Sequence, residues 1–183
     1  MKKILLLMTA LLMGVTLSAQ NTTGQPQKML RYRGSVELDG GMAFATMPLD
    51  EIRGGTFGGV VGTTHGIELW DCWTIGLGAA IGAGYSAAEY FDEEGIGLIF
   101  SGYLHTDYAF LKGAKVRPYV FGRIGYAACD CGAGLAWGTG AGVRFNDRWD
   151  LGLGYKQGYD IFSETGKLEH LIHVVFLQFA FRF

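Results

Sequence analysis

Charge is scarce in this sequence of 183 residues. Charged side chains make up 17%, against about 25% in a typical soluble domain. Neither sign dominates, and a formal net charge of −2 gives no electrostatic basis for binding nucleic acid. Proline occurs only 3 times, and the glycines follow no three-residue period. Collagen-like and proline-rich disordered chains are thereby excluded. Cysteine also occurs only 3 times. Glycine is what the chain has in excess: 30 of 183 residues, more than twice the average usage of about 7%. Hydrophobic residues reach 49%.

The first residues read as a targeting segment. Met1-Lys2-Lys3 is a basic start, and Ile4 to Leu17 is an apolar stretch too short to span a bilayer as a helix. Small residues follow at Ser18-Ala19. Residues 1–19 are therefore expected to be a signal peptide, and 20–30 a polar, flexible leader. No cysteine lies near the junction, which argues against a lipoprotein anchor. Without Lys2 and Lys3 the 15 basic residues become 13 against 17 acidic ones, a net charge of about −4.

Residues 72–88 contain no charge and include Gly78 and Gly82, a GxxxG pair that suits a membrane helix. Their period excludes that reading. Trp73, Ile75, Leu77, Ala79, Ile81, Ala83 and Tyr85 alternate with Thr74, Gly76, Gly78, Ala80, Gly82 and Gly84. A period of two belongs to a strand, and each glycine would weaken a helix by about 1 kcal/mol. The same alternation recurs at 32–44, 149–161 and 171–183. One face is apolar and aromatic; the other is glycine or charge. A soluble sandwich rarely crowds glycine onto its polar face. A membrane barrel turns the apolar face to lipid and packs the other inside.

Eight strands are predicted, at about 32–45, 54–68, 73–85, 98–110, 117–128, 134–145, 149–161 and 171–183. Each exceeds the roughly 9–11 residues of a tilted crossing. An even number permits antiparallel closure, and closure removes the unpaired edges that lipid does not tolerate. The fold class is thus an all-β, eight-stranded antiparallel up-and-down transmembrane barrel over 31–183. Short turns near Leu69–Cys72, Leu111–Val116 and Asn146–Arg148 are expected at the periplasmic side with both chain ends. The longer connections 46–53, 86–97 and 162–170, with a tight Cys129–Ala133 turn, are expected outside.

The strand count, Thr64-His65-Gly66, Arg117-Pro118-Tyr119 and the ending Phe179-Ala180-Phe181-Arg182-Phe183 resemble the small eight-stranded outer-membrane β-barrel proteins of Gram-negative bacteria, related in form to the transmembrane domain of outer-membrane protein A. The resemblance implies an outer-membrane location among its lipids and a monomer. It also implies that Phe179, Phe181 and Phe183 form a signal read by the barrel-assembly machinery. No peptidoglycan-binding domain is expected. Such barrels include adhesins, stress proteins, porin-like proteins and lipid-modifying enzymes, so the resemblance leaves the role open.

Parity places Arg33, Arg123, Arg144, Lys156 and Arg182 inside, with Arg31 as a further candidate, and Glu37, Asp39, Glu68, Asp107, Asp150 and Asp160 with them. The balance predicts internal pairing, because an unpaired charge in a closed lumen is costly. Expected partners are Arg123 with Glu37 and Asp39, Arg144 with Asp150, and Arg33 with Glu68. An eight-stranded interior is just wide enough for side chains, so a polar plug is favoured over a charged filter. Catalytic groups are thin. His65 and His173 are predicted toward lipid and His105 inward beside Asp107. Ser163, Glu164 and Glu169 lie near His173 in sequence, but no His-x-Ser spacing is present. The run from Glu89 to Glu94 reads as a solvated acidic loop rather than a cation site. Cys72 and the Cys129-x-Cys131 pair fall at opposite ends and form no metal site. The reading is a non-enzymatic barrel without cofactor or metal, with a structural or surface-interactive role toward a ligand the sequence does not name. A narrow small-solute channel and a lipid A-modifying enzyme are the alternatives.

Overall fold

The computed structural model describes residues 30–46, 52–86, 95–129, 132–159 and 171–183. The strands are β1 (Leu30–Thr46), β2 (Ile52–Leu69), β3 (Trp73–Ser86), β4 (Gly95–Ala109), β5 (Val116–Cys129), β6 (Gly132–Phe145), β7 (Trp149–Tyr159) and β8 (Leu171–Arg182). Each pairs antiparallel with its sequence neighbours, and β1 pairs with β8, so the sheet closes into a barrel. The seam runs from Ser35↔Arg182 to Thr46↔Leu171. Gly34 and Phe183 extend it with two backbone bonds, N to O at 3.0 and 2.9 Å. Several strands outrun their predicted limits, β2 beginning at Ile52 and β4 at Gly95, whereas β4 and β8 end one residue short, at Ala109 and Arg182. Backbone pairing continues beyond the alternating side-chain pattern, because an unpaired edge costs more than a poorly patterned residue.

The barrel is inverted relative to a soluble protein. Leu77 and Leu177 are more than 60% exposed on the outer wall, while Glu37, Glu68, Asp107, Arg144 and Asp150 are buried within. That distribution is stable only where the surrounding solvent is hydrocarbon.

Three tight turns join strands at the end that carries Leu30 and Phe183. Trp70 and Asp71 both have positive φ, as do Asn146 and Asp147. Each pair closes with a backbone bond from residue four to residue one, Cys72 to Leu69 and Arg148 to Phe145. This is the type I′ geometry that matches strand twist. Asn-Asp suits it; Trp70 does not, and its ring stacks on Trp73 at 6.4 Å. Cys72 is free and half-buried in the first turn, where burial pushes its thiol pKa up.

The inner wall pairs rings with glycines. Tyr103 lies directly across from Gly78, Phe121 from Gly140, Tyr119 from Gly142 and Phe176 from Gly154. A Cβ on Gly140 would sit 2.4 Å from Cζ of Phe121, and one on Gly154 2.4 Å from Cζ of Phe176. The glycines therefore make room for rings of the adjacent strand. Gly140→Ala is expected to lower stability by about 1–3 kcal/mol through overpacking. Gly158→Ala, where a Cβ meets nothing within 4 Å, is expected to be neutral. Urea titrations of the two folded variants in detergent check the contrast.

Candidate functional site: the barrel lumen

Alternation on every strand sends one side chain in two into the lumen, and there the inward charges form two layers. In the middle, the Arg123 guanidinium reaches from β5 to β1. Its Nη1 donates to Asp39 Oδ2 at 2.7 Å, and Nη2 pairs with Glu37 Oε2. Glu37 also accepts from Ser35 Oγ at 2.8 Å and from Gln178 Nε2 at 3.4 Å. The same guanidinium lies 5.0 Å from the Tyr103 ring centroid and 5.3 Å from that of Phe121, close enough for cation–π attraction.

Nearer the turns, Arg144 donates to Asp150 through Nε at 2.8 Å and Nη2 at 3.0 Å, and to Asp107 at 2.9 Å. Arg182 donates to Thr74 Oγ1 at 2.8 Å and lies 3.3 Å from both Glu68 and Asp107. Glu68 further accepts from Arg33 at 2.7 Å and pairs with Arg31, which is about one-third exposed. His105 joins the layers. It stacks on Phe121, its Nε2 faces Asp107 Oδ2 at 3.2 Å, and its Nδ1 lies 3.4 Å from Arg123 Nε. Burying these ions singly would cost several kcal/mol each, and mutual pairing offsets that cost.

The lumen is closed at this level. A cavity of about 20 Å³ lies among Arg33, Glu37, His105, Asp107, Gln178 and Arg182, room for about one water molecule. Beneath it, Arg117 seals the turns. This side chain is 2% exposed. It donates to Asp147 Oδ1 at 2.8 Å, to the carbonyl of Asp71 at 2.7 Å, and to those of Phe110 and Ala109 at 3.2 Å. One guanidinium thus ties all three turns together.

Of the residues singled out in the sequence, Arg33, Glu37, Asp39, Glu68, Asp107, Arg123, Arg144, Asp150 and Arg182 are brought into this network. Lys156 faces inward without an ion pair among the described residues, and Asp160 lies outside them. Arg117, Tyr119, Phe121 and Phe176 are lumen residues that the charge inventory did not include. Parity with Arg123 would have found Arg117. His65 faces lipid and contacts the Tyr32 hydroxyl and Thr63 Oγ1, and the His173 ring is engaged by the Tyr155 hydroxyl. Phe179 and Phe183 are exposed on the outer wall, while Phe181 is half-buried against Trp149. Cys131, Ser163, Glu164, Glu169 and the Glu89–Glu94 run fall outside the described residues, as do residues 1–29; of Cys129 only the backbone is described, at the end of β5.

A closed ring of eight antiparallel strands, apolar outside and ionic within, defines a small transmembrane β-barrel of the outer-membrane type. Among solved structures the chain is similar to neisserial surface protein A, with 19% identity over 82% of this chain and 97% of that one and a TM-score of 0.53. The outer-membrane enzyme PagL aligns at 16% identity over 78% and 97%, TM-score 0.49. Ail, the attachment invasion locus protein of Yersinia pestis, aligns at 14% over 82% and 98%, TM-score 0.49. No family model and no curated protein matches the sequence. At these identities the likeness is one of fold.

Proposed function

We propose that the chain is a non-enzymatic, non-conducting integral protein of the Gram-negative outer membrane. In this reading residues 1–19 direct export, 20–30 form a leader, and the assembly machinery inserts a monomeric barrel. The turns face the periplasm. Connections 46–53, 86–97 and 162–170 carry the contacts with a surface ligand. The observation behind it is the lumen's ionic closure. From Arg123 down to Arg117 the wall is filled with paired charge and rings, and the cavity among them is about 20 Å³. A solute path would require separating buried ion pairs, at about 3–5 kcal/mol for each one broken.

Planar-bilayer recording tests this reading. The purified barrel is expected to give no reproducible single-channel steps. Stable unitary conductance would replace the plug with a filter. Mass analysis of lipid A from cells with and without the protein tests the absence of enzymatic activity, and identical spectra are expected.

A further inference from the structure

The lumen changes character above Arg123. Below it, inward side chains such as His105, Asp107, Tyr119, Phe121 and Gln178 are buried. Above it, inward Ala43, Val60, Ala80, Ile99, Ala127 and Val174 are all half-exposed. Glycines such as Gly82 and Gly158 share that wall, and a Cβ at Gly158 would meet open space. A ring of eight strands has just enough interior for full-sized side chains. Where most are glycine, alanine or small aliphatics, space remains. The far half of the lumen is therefore a cup with apolar sides, and its floor is Arg123 held between Tyr103 and Phe121.

One cation at this floor shares its carboxylate with another: Lys156 is attracted by Asp39, which Arg123 also holds. Arg33, Arg117, Arg123, Arg144 and Arg182 each have a carboxylate within 3.3 Å. Lys156 faces inward between Gly154 and Gly158, and among the described residues its ammonium makes no hydrogen bond or ion pair. Its neighbours across the strands are Gly138 and Val174, neither of which offers a polar side chain. The pairing of Asp39 with Arg123 is a direct one, at 2.7 Å, whereas Lys156 makes no direct contact with Asp39. An ammonium half-enclosed by apolar wall gains most from an anion brought in by a ligand.

We propose that this cup binds a monoanionic amphiphile of the fatty-acid class. Its carboxylate pairs with Lys156, and its alkyl chain lies against Val60, Ile99, Ala127 and Val174. The inference goes beyond the loop-mediated role above and does not depend on it, since a blind cup can hold a ligand whether or not the loops bind a partner. A divalent cation suits the site less well, because Lys156 and Arg123 offset the two carboxylates there.

The test uses the full barrel in phosphatidylcholine nanodiscs titrated with carboxyl-¹³C decanoate, with empty nanodiscs as background. Saturable binding near one per barrel is expected. Lys156→Gln and the cup-filling Ala127→Phe should each weaken it at least about tenfold, as expected for loss of roughly 1.4 kcal/mol or more. Leu177→Ala, on the lipid face, should leave it unchanged. Decanol at equal concentration should not compete. Uptake no different from empty discs, or equal affinity in Lys156→Gln, would overturn the proposal. So would full competition by decanol, which needs no variant at all. Heat-modifiable gel migration verifies that each variant is folded before titration.

Discussion

Arg123→Ala is expected to lower the stability of the folded barrel by about 3–5 kcal/mol, the cost of stranding a buried charge. Asp39 has no other ion-pair partner among the described residues, and its Oδ1 is already buried without a hydrogen bond. Glu37 would keep Ser35 and Gln178, but those are neutral donors. Two cation–π contacts vanish as well. Lys115→Ala, at an exposed position in the β4–β5 connection, should change stability by no more than about 0.5 kcal/mol. Urea unfolding in detergent, read by the gel shift between folded and unfolded forms, compares the two. A further variant separates charge from packing. Arg123→Met combined with Glu37→Gln and Asp39→Asn removes the whole cluster, and replacing a complete buried ionic set is often nearly neutral. The triple variant should therefore recover most of what Arg123→Ala loses. If Arg123→Ala and Lys115→Ala unfold at the same urea concentration, the central layer contributes nothing to stability.

The same layer shows how far the sequence could be read. Period-two alternation was legible because lipid enforces it on every strand, and the number and order of strands followed. The partnership of Arg144 with Asp150 was legible too, since a hairpin turn at 146–147 fixes their register. Other contacts were not. Arg182 meets Glu68 and Asp107 on β2 and β4. That contact depends on how far the closed sheet is staggered, which no local pattern encodes. Parity with Arg123 puts Arg117 inside, but its partners are main-chain carbonyls of two connections together with a turn carboxylate, Asp147, and matching inward charges does not reveal those. The inner rings were hidden for another reason. On β8 Val174 and Phe176 share the parity of Gln178 and Arg182, which places them inside but gives no sign of what the ring packs against. Only the register, with Gly154 directly across from Phe176, shows that the ring has a place there. The cup has the same origin. Glycine on the inner face was evident, but whether it admits a neighbour's ring or leaves space depends on the residue across the strand.

Phe183 is the position where stability in a test tube and assembly in a cell are expected to diverge. Its backbone makes two hydrogen bonds with Gly34, the last rungs of the β1–β8 seam. Its ring lies over Gly34, where an added Cβ would be 2.4 Å from Cε2 of the ring, and meets His65 edge-on at 6.2 Å. The ring is 51% exposed, so its deletion should cost no more than about 1.5–3 kcal/mol of apolar contact. Each lost hydrogen bond adds about 1 kcal/mol. Ten or more pairs of the seam remain, from Ser35↔Arg182 onward, and the Phe183 deletion should therefore refold into detergent nearly as well as the parent. If Phe179, Phe181 and Phe183 are also read by the assembly machinery, as proposed, the deletion should accumulate poorly in the outer membrane. Gly34→Ala supplies the complementary case. It pushes the Phe183 ring aside while leaving the aromatic ending intact. It should lower stability in vitro by an amount similar to the deletion, yet reach the outer membrane in parental quantity. Membrane fractionation at matched expression decides between the two roles. Equal amounts of the deletion and the parent would make Phe183 a packing residue alone. A deficit shared equally by Gly34→Ala would trace the defect to the weakened seam rather than to recognition of the ending.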